Sequence, residues 1–259
     1  MNAAHRFGAG CLLALIAVAV RAAPPGPAER RSGFDFMGPA TQAMQRDDGQ
    51  NPAALWLAEG EAQWRRAEAG TKACADCHGD AGASMRGVAA RYPAWDEPSA
   101  APVDLGRRID LCRQRQQGLP PLPAESAERL GLEMYIGRQS RGMPITPPAD
   151  RRLVPFRDQG RVIFATRFGQ LDLSCAQCHD ERWGRHLGSA MIPQGHPTGY
   201  PIYRLEWQGA GSLERRLRGC MVGVRAEPYP RGAPEWLALA VYLASRAAGL
   251  PVDTPAVRP

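Results

Sequence analysis

Cys74-Ala-Asp-Cys-His78 and Cys175-Ala-Gln-Cys-His179 decide how the rest of this chain is read. Two thiols three residues apart, with a histidine directly after the second, form the attachment pattern of c-type haem. The thiols make thioethers with the haem vinyl groups, and the histidine binds the iron. Apart from Cys11, the cysteines are Cys74, Cys77, Cys112, Cys175, Cys178 and Cys220. An oxidising compartment would allow these to form three disulfides, and a zinc site or a thioredoxin-like pair could also use Cys-x-x-Cys. Neither zinc nor redox chemistry needs a histidine after both motifs. The pattern therefore predicts two covalently bound haem c groups, attached at Cys74, Cys77, Cys175 and Cys178, with His78 and His179 as iron ligands.

The motifs belong to a longer repeat. Gly60 precedes Cys74 by 14 residues and Gly160 precedes Cys175 by 15. Each glycine opens an amphipathic stretch, Glu61-Ala-Gln-Trp64 or Arg161-Val-Ile-Phe164, that reads as a helix leading into the motif. Further on, Leu130-Gly-Leu-Glu-Met-Tyr-Ile136 matches Leu237-Ala-Leu-Ala-Val-Tyr-Leu243, and Gly142 and Pro144 stand opposite Gly249 and Pro251. Apolar residues at helical spacing that stop at glycine and proline mark closing helices. The expected fold is mainly α, with two tandem c-type cytochrome domains related by internal duplication.

Residues 1–22 have the composition of a signal peptide. His5 and Arg6 precede a ten-residue apolar run ending at Val20, too short to span a bilayer but suited to a cleavable leader. A retained anchor is the alternative. Residues 23–48, rich in Pro, Gly, Ala and charge, form an extended segment expected to wrap a surface or a partner. Domain 1 is placed at 49–148 and domain 2 at 149–259, with irregular stretches at 81–104 and 184–212 walling the haem pockets. The net charge of +6 includes Arg6 and Arg21 of the leader, and the remainder is too small to argue for nucleic acid. Lys72 is the only lysine. Arginine offers a planar fork that suits oxyanions, so its clusters matter.

Each iron needs a sixth ligand, for which methionine or a second histidine is the ordinary choice. Met85, Met134 and Met143 are candidates in the first half, but Met143 has Leu250 as its counterpart and Met134 has Val241. Cys112 lies 23 residues before Tyr135, and Cys220 lies 22 before Tyr242. This matched placement favours thiolate ligation of both irons, with a Cys112–Cys220 disulfide as the alternative. His186 and His196 are alternative ligands for the second haem, but without counterparts in the first half they read as surface or propionate-contacting residues. Arg215, Arg216, Arg218 and Arg225 cluster around Cys220, while Arg107, Arg108, Arg113 and Arg115 surround Cys112. Arginine alone therefore does not separate the two cysteines. Gly219 and Gly223, however, would leave the Cys220 sulfur approachable.

Two Cys-x-x-Cys-His motifs, a cysteine beyond each, Ser140-Arg-Gly-Met-Pro-Ile145 and Arg216-Leu-Arg-Gly-Cys220 followed by Arg225-Ala-Glu-Pro together resemble the SoxA family. That family supplies the dihaem subunit of the SoxXA cytochrome, an L-cysteine S-thiosulfotransferase. The resemblance implies Cys112 and Cys220 as iron ligands, Cys220 as a cysteine persulfide intermediate and Arg216 as a substrate-binding residue, with Arg218 and Arg225 as further candidates. It also implies a periplasmic heterodimer with the monohaem cytochrome SoxX. Thiosulfate would be conjugated to the SoxY carrier protein, and electrons would leave to a soluble cytochrome c. A plain dihaem electron carrier and a dihaem thiosulfate dehydrogenase, the latter using Met143 at one haem, are the alternatives.

Overall fold

The computed structural model describes residues 24–68 and 70–259; the expected leader at 1–22 lies outside them. Ten α-helices carry the described chain. They are α1 (Pro39–Arg46), α2 (Ala54–Arg65), α3 (Cys74–His78), α4 (Ala81–Ser84), α5 (Leu105–Cys112), α6 (Ala127–Arg138), α7 (Val154–Ala165), α8 (Cys175–His179), α9 (Leu213–Gly223) and α10 (Pro234–Arg246). Among the described residues, no helix is long and apolar enough to cross a membrane.

Two helix crossings organise the core, α2 on α6 and α7 on α10. Both depend on a glycine. A Cβ on Gly60 would lie 2.0 Å from the Gly131 carbonyl oxygen and 2.7 Å from the Tyr135 Cβ. A Cβ on Gly160 would lie 2.1 Å from the Ala238 carbonyl oxygen and 2.7 Å from the Tyr242 Cβ. Backbone thus meets backbone, a distance that any side chain at these positions would forbid. One turn after each glycine comes an aromatic ring, Trp64 or Phe164, whose centroid lies 6.1 Å from Tyr135 or 5.4 Å from Tyr242. The surrounding clusters are separate. Trp64, Leu105, Ile109, Leu132 and Ile136 fill the first, and Phe164, Trp236, Leu239 and Leu243 fill the second.

The regions expected to be irregular contain short strands. β1 (Ala94–Asp96) pairs antiparallel with β2 (Ala101–Val103), and β3 (His186–Leu187) with β4 (Ala190–Met191). β5 (Ile202–Arg204) pairs antiparallel with β6 (Gly209–Gly211) and parallel with the C-terminal β7 (Ala256–Arg258). Strands this short carry no hydrophobic period of their own and are specified by their partners.

The segment before α2 wraps the second half of the chain. Arg30 donates to the Ala248 carbonyl, the Arg31 amide donates to Gln194, and Ser32 bonds Asp253. The C-terminal tail returns to the first half. Val252 pairs with Gly142 and Met143 through backbone bonds of 2.9 Å, and Asn51 donates to the Pro255 carbonyl at 3.0 Å. Ser140–Ile145 is therefore a clasp for the tail, and its Ser140 hydroxyl accepts from the Ala89 amide. A third, smaller cluster joins the halves directly, with Leu130 and Met134 of α6 packed with Ala210 of β6.

The crossings yield a prediction. Gly160→Ala forces α7 and α10 apart and should cost about 1–3 kcal/mol, the usual range for overpacking. The measurement is the thermal midpoint of the variant against the parent chain.

Candidate haem centres and the arginines at Cys220

Local capping sets the geometry of both motifs. The Asp76 carboxylate accepts from the Ala73 amide at 2.8 Å, and the Gln177 side chain accepts from the Ser174 amide at 2.9 Å while Ser174 caps Gln177. A helix therefore starts at the first cysteine of each motif. Positions i, i+3 and i+4 then share one face, which carries both thiols and the imidazole. Asp76 and Gln177, each directly before the second cysteine of its motif, thus serve as capping residues.

The imidazoles are supported from behind. His78 has the Trp64 ring 5.8 Å away, and His179 has Phe164 at 6.4 Å. The Nδ1 of His179 lies 2.6 Å from the Pro193 carbonyl oxygen. A proton on that nitrogen donates to the carbonyl, which leaves Nε2 as a lone-pair donor. Gly195 (φ 72°) makes the close approach, since a Cβ there would meet the ring at 3.0 Å. This donor set fits a c-type haem: two thiols and a fixed imidazole on one helical face, with a glycine backbone packed against the ring. Among the described residues, no group of three or more His, Cys, Asp or Glu side chains converges as a metal-ion cage.

All six described cysteines are free thiols, so a Cys112–Cys220 disulfide is absent. Instead each lies at its own motif. Burial, and then the proximity of Cys112, push the Cys74 thiol up to about 11; burial and then Cys220 push Cys175 up to about 12. Cys112 ends α5, directly before a π-helical turn at Arg113–Gln117. Met143 packs towards Gly87 and pairs its backbone with the tail.

The two thiols differ in charge environment. Burial raises the Cys112 pKa, nearby Cys77 adds to this, and Arg108 opposes it only in part. At Cys220 burial also acts upward, but the neighbouring His179 imidazole and then the charges of Arg216 and Arg204 bring the net shift below the ordinary thiol value. The arginines around Cys112 are mostly neutralised. Arg108 and Arg115 both pair with the buried Asp96, at 2.7 and 2.9 Å, and Arg113 pairs with Glu68 at 2.9 Å. Arg216 pairs with no acidic side chain among the described residues. It lies one helical turn before Cys220 on α9, on the same face. Gly219 is exposed, with open space where a side chain would stand.

The other candidates divide. The Arg218 guanidinium donates to the Tyr229 carbonyl, and Arg225 is exposed beyond the end of α9. Neither acts on the Cys220 thiol as Arg216 does. Sequence reasoning misses Arg204, which lies 16 residues before Cys220 on β5. It is largely buried, pairs with exposed Glu206 at 2.5 Å, and its Nε has no partner. The approach of Arg216 disfavours its charge further, after burial itself. His186 is exposed on β3. His196 is not the surface residue that one reading of the sequence expects. It is buried against the Arg31 carbonyl at 2.9 Å, and burial pulls its pKa down to about 4.

Comparison with known proteins agrees with this geometry. The family model for the SoxA/TsdA cytochrome c domain matches residues 59–145. The L-cysteine S-thiosulfotransferase subunit SoxA of Pseudaminobacter salicylatoxidans is 36% identical, with 92% of this chain and 84% of the relative aligned. The same subunit of Rhodovulum sulfidophilum is 38% identical over 89% of this chain and 80% of its own length. The chain belongs to the SoxA family of L-cysteine S-thiosulfotransferase subunits. A crystal structure of SoxXA from P. pantotrophus superposes with a TM-score of 0.84 at 32% identity, covering 89% of this chain and 87% of that one. The SoxA fold thus extends well beyond the segment that the family model matches, through α9 and the Cys220 site.

The N-terminus of α9 is itself capped across the halves. Ser212 caps Arg215, and Glu125 accepts from the Ser212 hydroxyl at 2.5 Å. Ser212→Ala should therefore lower stability by about 1 kcal/mol, read as a lower denaturant midpoint with an unchanged slope.

Proposed function

We propose that this chain is the catalytic subunit of a thiosulfate-conjugating cytochrome, with Cys220 as its reacting group and Arg216 as its anion-binding residue. The observation that carries this reading is the guanidinium of Arg216, without an acidic partner among the described residues, one helical turn before Cys220 on the same face of α9.

In this reading the mature protein is periplasmic, exported by the 1–22 leader. It holds two haem c groups, one in each of two domains that arose by duplication. Supporting the duplication are the two glycine-dependent crossings, each followed by an aromatic residue beside a histidine. Cys74 and Cys77 would attach the first haem, with His78 and Cys112 as the side chains that would bind its iron. Cys175 and Cys178 would attach the second, with His179 and Cys220. When bound, haem c supplies one-electron redox chemistry at these ligands. The partner is a SoxX-type monohaem cytochrome, a reading supported by the likeness to SoxXA of P. pantotrophus.

The overall reaction joins the outer sulfur of thiosulfate to a cysteine of a SoxY-type carrier. The carrier's S–H bond breaks, an S–S bond forms, and one proton and two electrons are released, with a soluble cytochrome c as final acceptor. Arg216 holds the sulfonate end and Arg204 adds a second positive charge at the same thiol. Their task is positioning and charge stabilisation. Cys220 is the site of the covalent persulfide-type intermediate: with two electrons withdrawn, its thiolate sulfur bonds to the outer sulfur of thiosulfate. The carrier's thiolate then takes up the intact S–SO3 group at that outer sulfur and releases Cys220 as thiolate, with open space at Gly219 giving the carrier's cysteine access.

Substitutions at Cys112, Cys220 and Arg216 test this. Cys112→Ala should change the absorption and resonance spectrum of the first haem alone; a change on Met143→Ala instead would support methionine ligation and the thiosulfate dehydrogenase alternative. Cys220→Ala should abolish thiosulfate-dependent cytochrome c reduction in the presence of carrier. Arg216→Ala should lower that activity roughly 30- to 150-fold, the equivalent of about 2–3 kcal/mol for a charge-assisted bond, with unchanged haem spectra. Arg216→Lys should recover only part of the loss, because a point charge does not reproduce the planar fork.

A further inference from the structure

Arg246, at the end of α10, contacts the residue after His179, the loop that carries the Pro193 carbonyl and the ring that flanks the imidazole. Its Nη2 lies 2.6 Å from the Asp180 carboxylate, which belongs to the residue directly after His179. The same nitrogen lies 3.3 Å from the carbonyl of Gln194, directly after the Pro193 whose carbonyl takes the His179 Nδ1 proton. Its guanidinium carbon sits 4.6 Å from the centre of the Phe164 ring, which flanks the imidazole. The pair is buried, with Arg246 at 6% and Asp180 at 9% side-chain exposure.

This arrangement is costly. The Nε and Nη1 of Arg246 are buried without hydrogen-bond partners. A buried ion pair with unsatisfied donors stabilises a fold poorly, so its contribution to stability does not account for it. The corresponding place in the first half is occupied differently. The residue four after Tyr135 is Gln139, which bonds its own helix at the Tyr135 carbonyl, and the residue after His78 is Gly79. Among the described residues the His78 imidazole makes no hydrogen bond. The brace exists only around His179, on the side where Cys220 and Arg216 lie.

The loop it holds is also clamped from outside. Gln194 is fully buried, donates to the Glu29 carbonyl at 3.0 Å and accepts from the Arg31 amide at 2.7 Å. With this loop pinned on both sides, the Pro193 carbonyl cannot drift from Nδ1.

We propose that Arg246 is a positioning residue for His179, tying the helix that carries the imidazole to the loop that orients it. The inference rests on the reading above that His179 is an axial ligand of a second haem. A firm hydrogen bond from Nδ1 makes the imidazole a stronger donor and favours ferric iron. Loosening it therefore raises the reduction potential of that haem and leaves the first haem alone.

The test is a redox titration with low-temperature electron paramagnetic resonance on the haem-loaded mature protein, its haem content counted, beside thermal unfolding. Cys112→Ala assigns the first haem. In Arg246→Gln the midpoint of the second haem should rise and its g-values should shift, with the first haem unchanged. Asp180→Asn should move the same haem in the same direction by less, and Arg246→Lys should fall between Arg246→Gln and the parent. An unchanged second-haem potential and resonance in Arg246→Gln, whatever happens to the melting temperature, would reduce the pair to structural glue. If Arg246→Gln does not fold, unchanged values in both Arg246→Lys and Asp180→Asn overturn the proposal equally. A parent protein that carries a single haem would instead refute the haem reading on which it rests.

Discussion

Where α7 crosses α10, the Gly160 backbone lies against the Ala238 carbonyl with no room for a methyl group, and α2 meets α6 in the same way at Gly60 and Gly131. These contacts fix how far each closing helix stands from the helix that precedes the haem motif. Trp64 and Phe164, one turn further on, are thereby placed beside His78 and His179. A wider crossing would carry both rings away from the imidazoles. The position of the candidate iron ligands thus depends on two interhelical distances set by glycine.

Electrostatics then separates two sites built on one plan. Asp96 and Glu68 neutralise the arginines near Cys112, while Arg216 faces Cys220 with no counter-ion among the described residues. Charge left unpaired in a partly buried site is unfavourable for folding and useful for binding an anion. The cost is carried by a helix anchored from the other half, through Glu125 at its N-cap, and by a sheet whose third strand is the C-terminal tail. The crossed arms, with the N-terminal segment on the second half and the tail on the first, hold these pieces in one register.

Membership of the SoxA family and the arrangement of the second half support each other independently. The family model reaches only to residue 145. The features that argue for chemistry, Arg216, Arg204 and Cys220, all lie beyond it, where full-length relatives and the SoxXA structure align.

The sequence by itself determined whatever rests on covalent spacing. The haem motifs, the paired helices around Gly60 and Gly160, the matched cysteines at 112 and 220, and the four-residue step from Arg216 to Cys220 are local or periodic. Helical geometry converts such spacing directly into a shared face. Tertiary structure alone decided which charges remain free. Arg108 and Arg216 look alike in sequence, and only the arrival of Asp96 at one of them tells them apart. Arg204 reaches Cys220 from a separate strand, and Arg218 is turned away by the Tyr229 carbonyl. The Pro193 carbonyl, Gln194 and Arg246 converge on His179 from a loop and a helix that are 14 to 67 residues distant in sequence. Contacts of that kind leave no periodic trace, because each partner's position is set by packing and not by its neighbours in the chain.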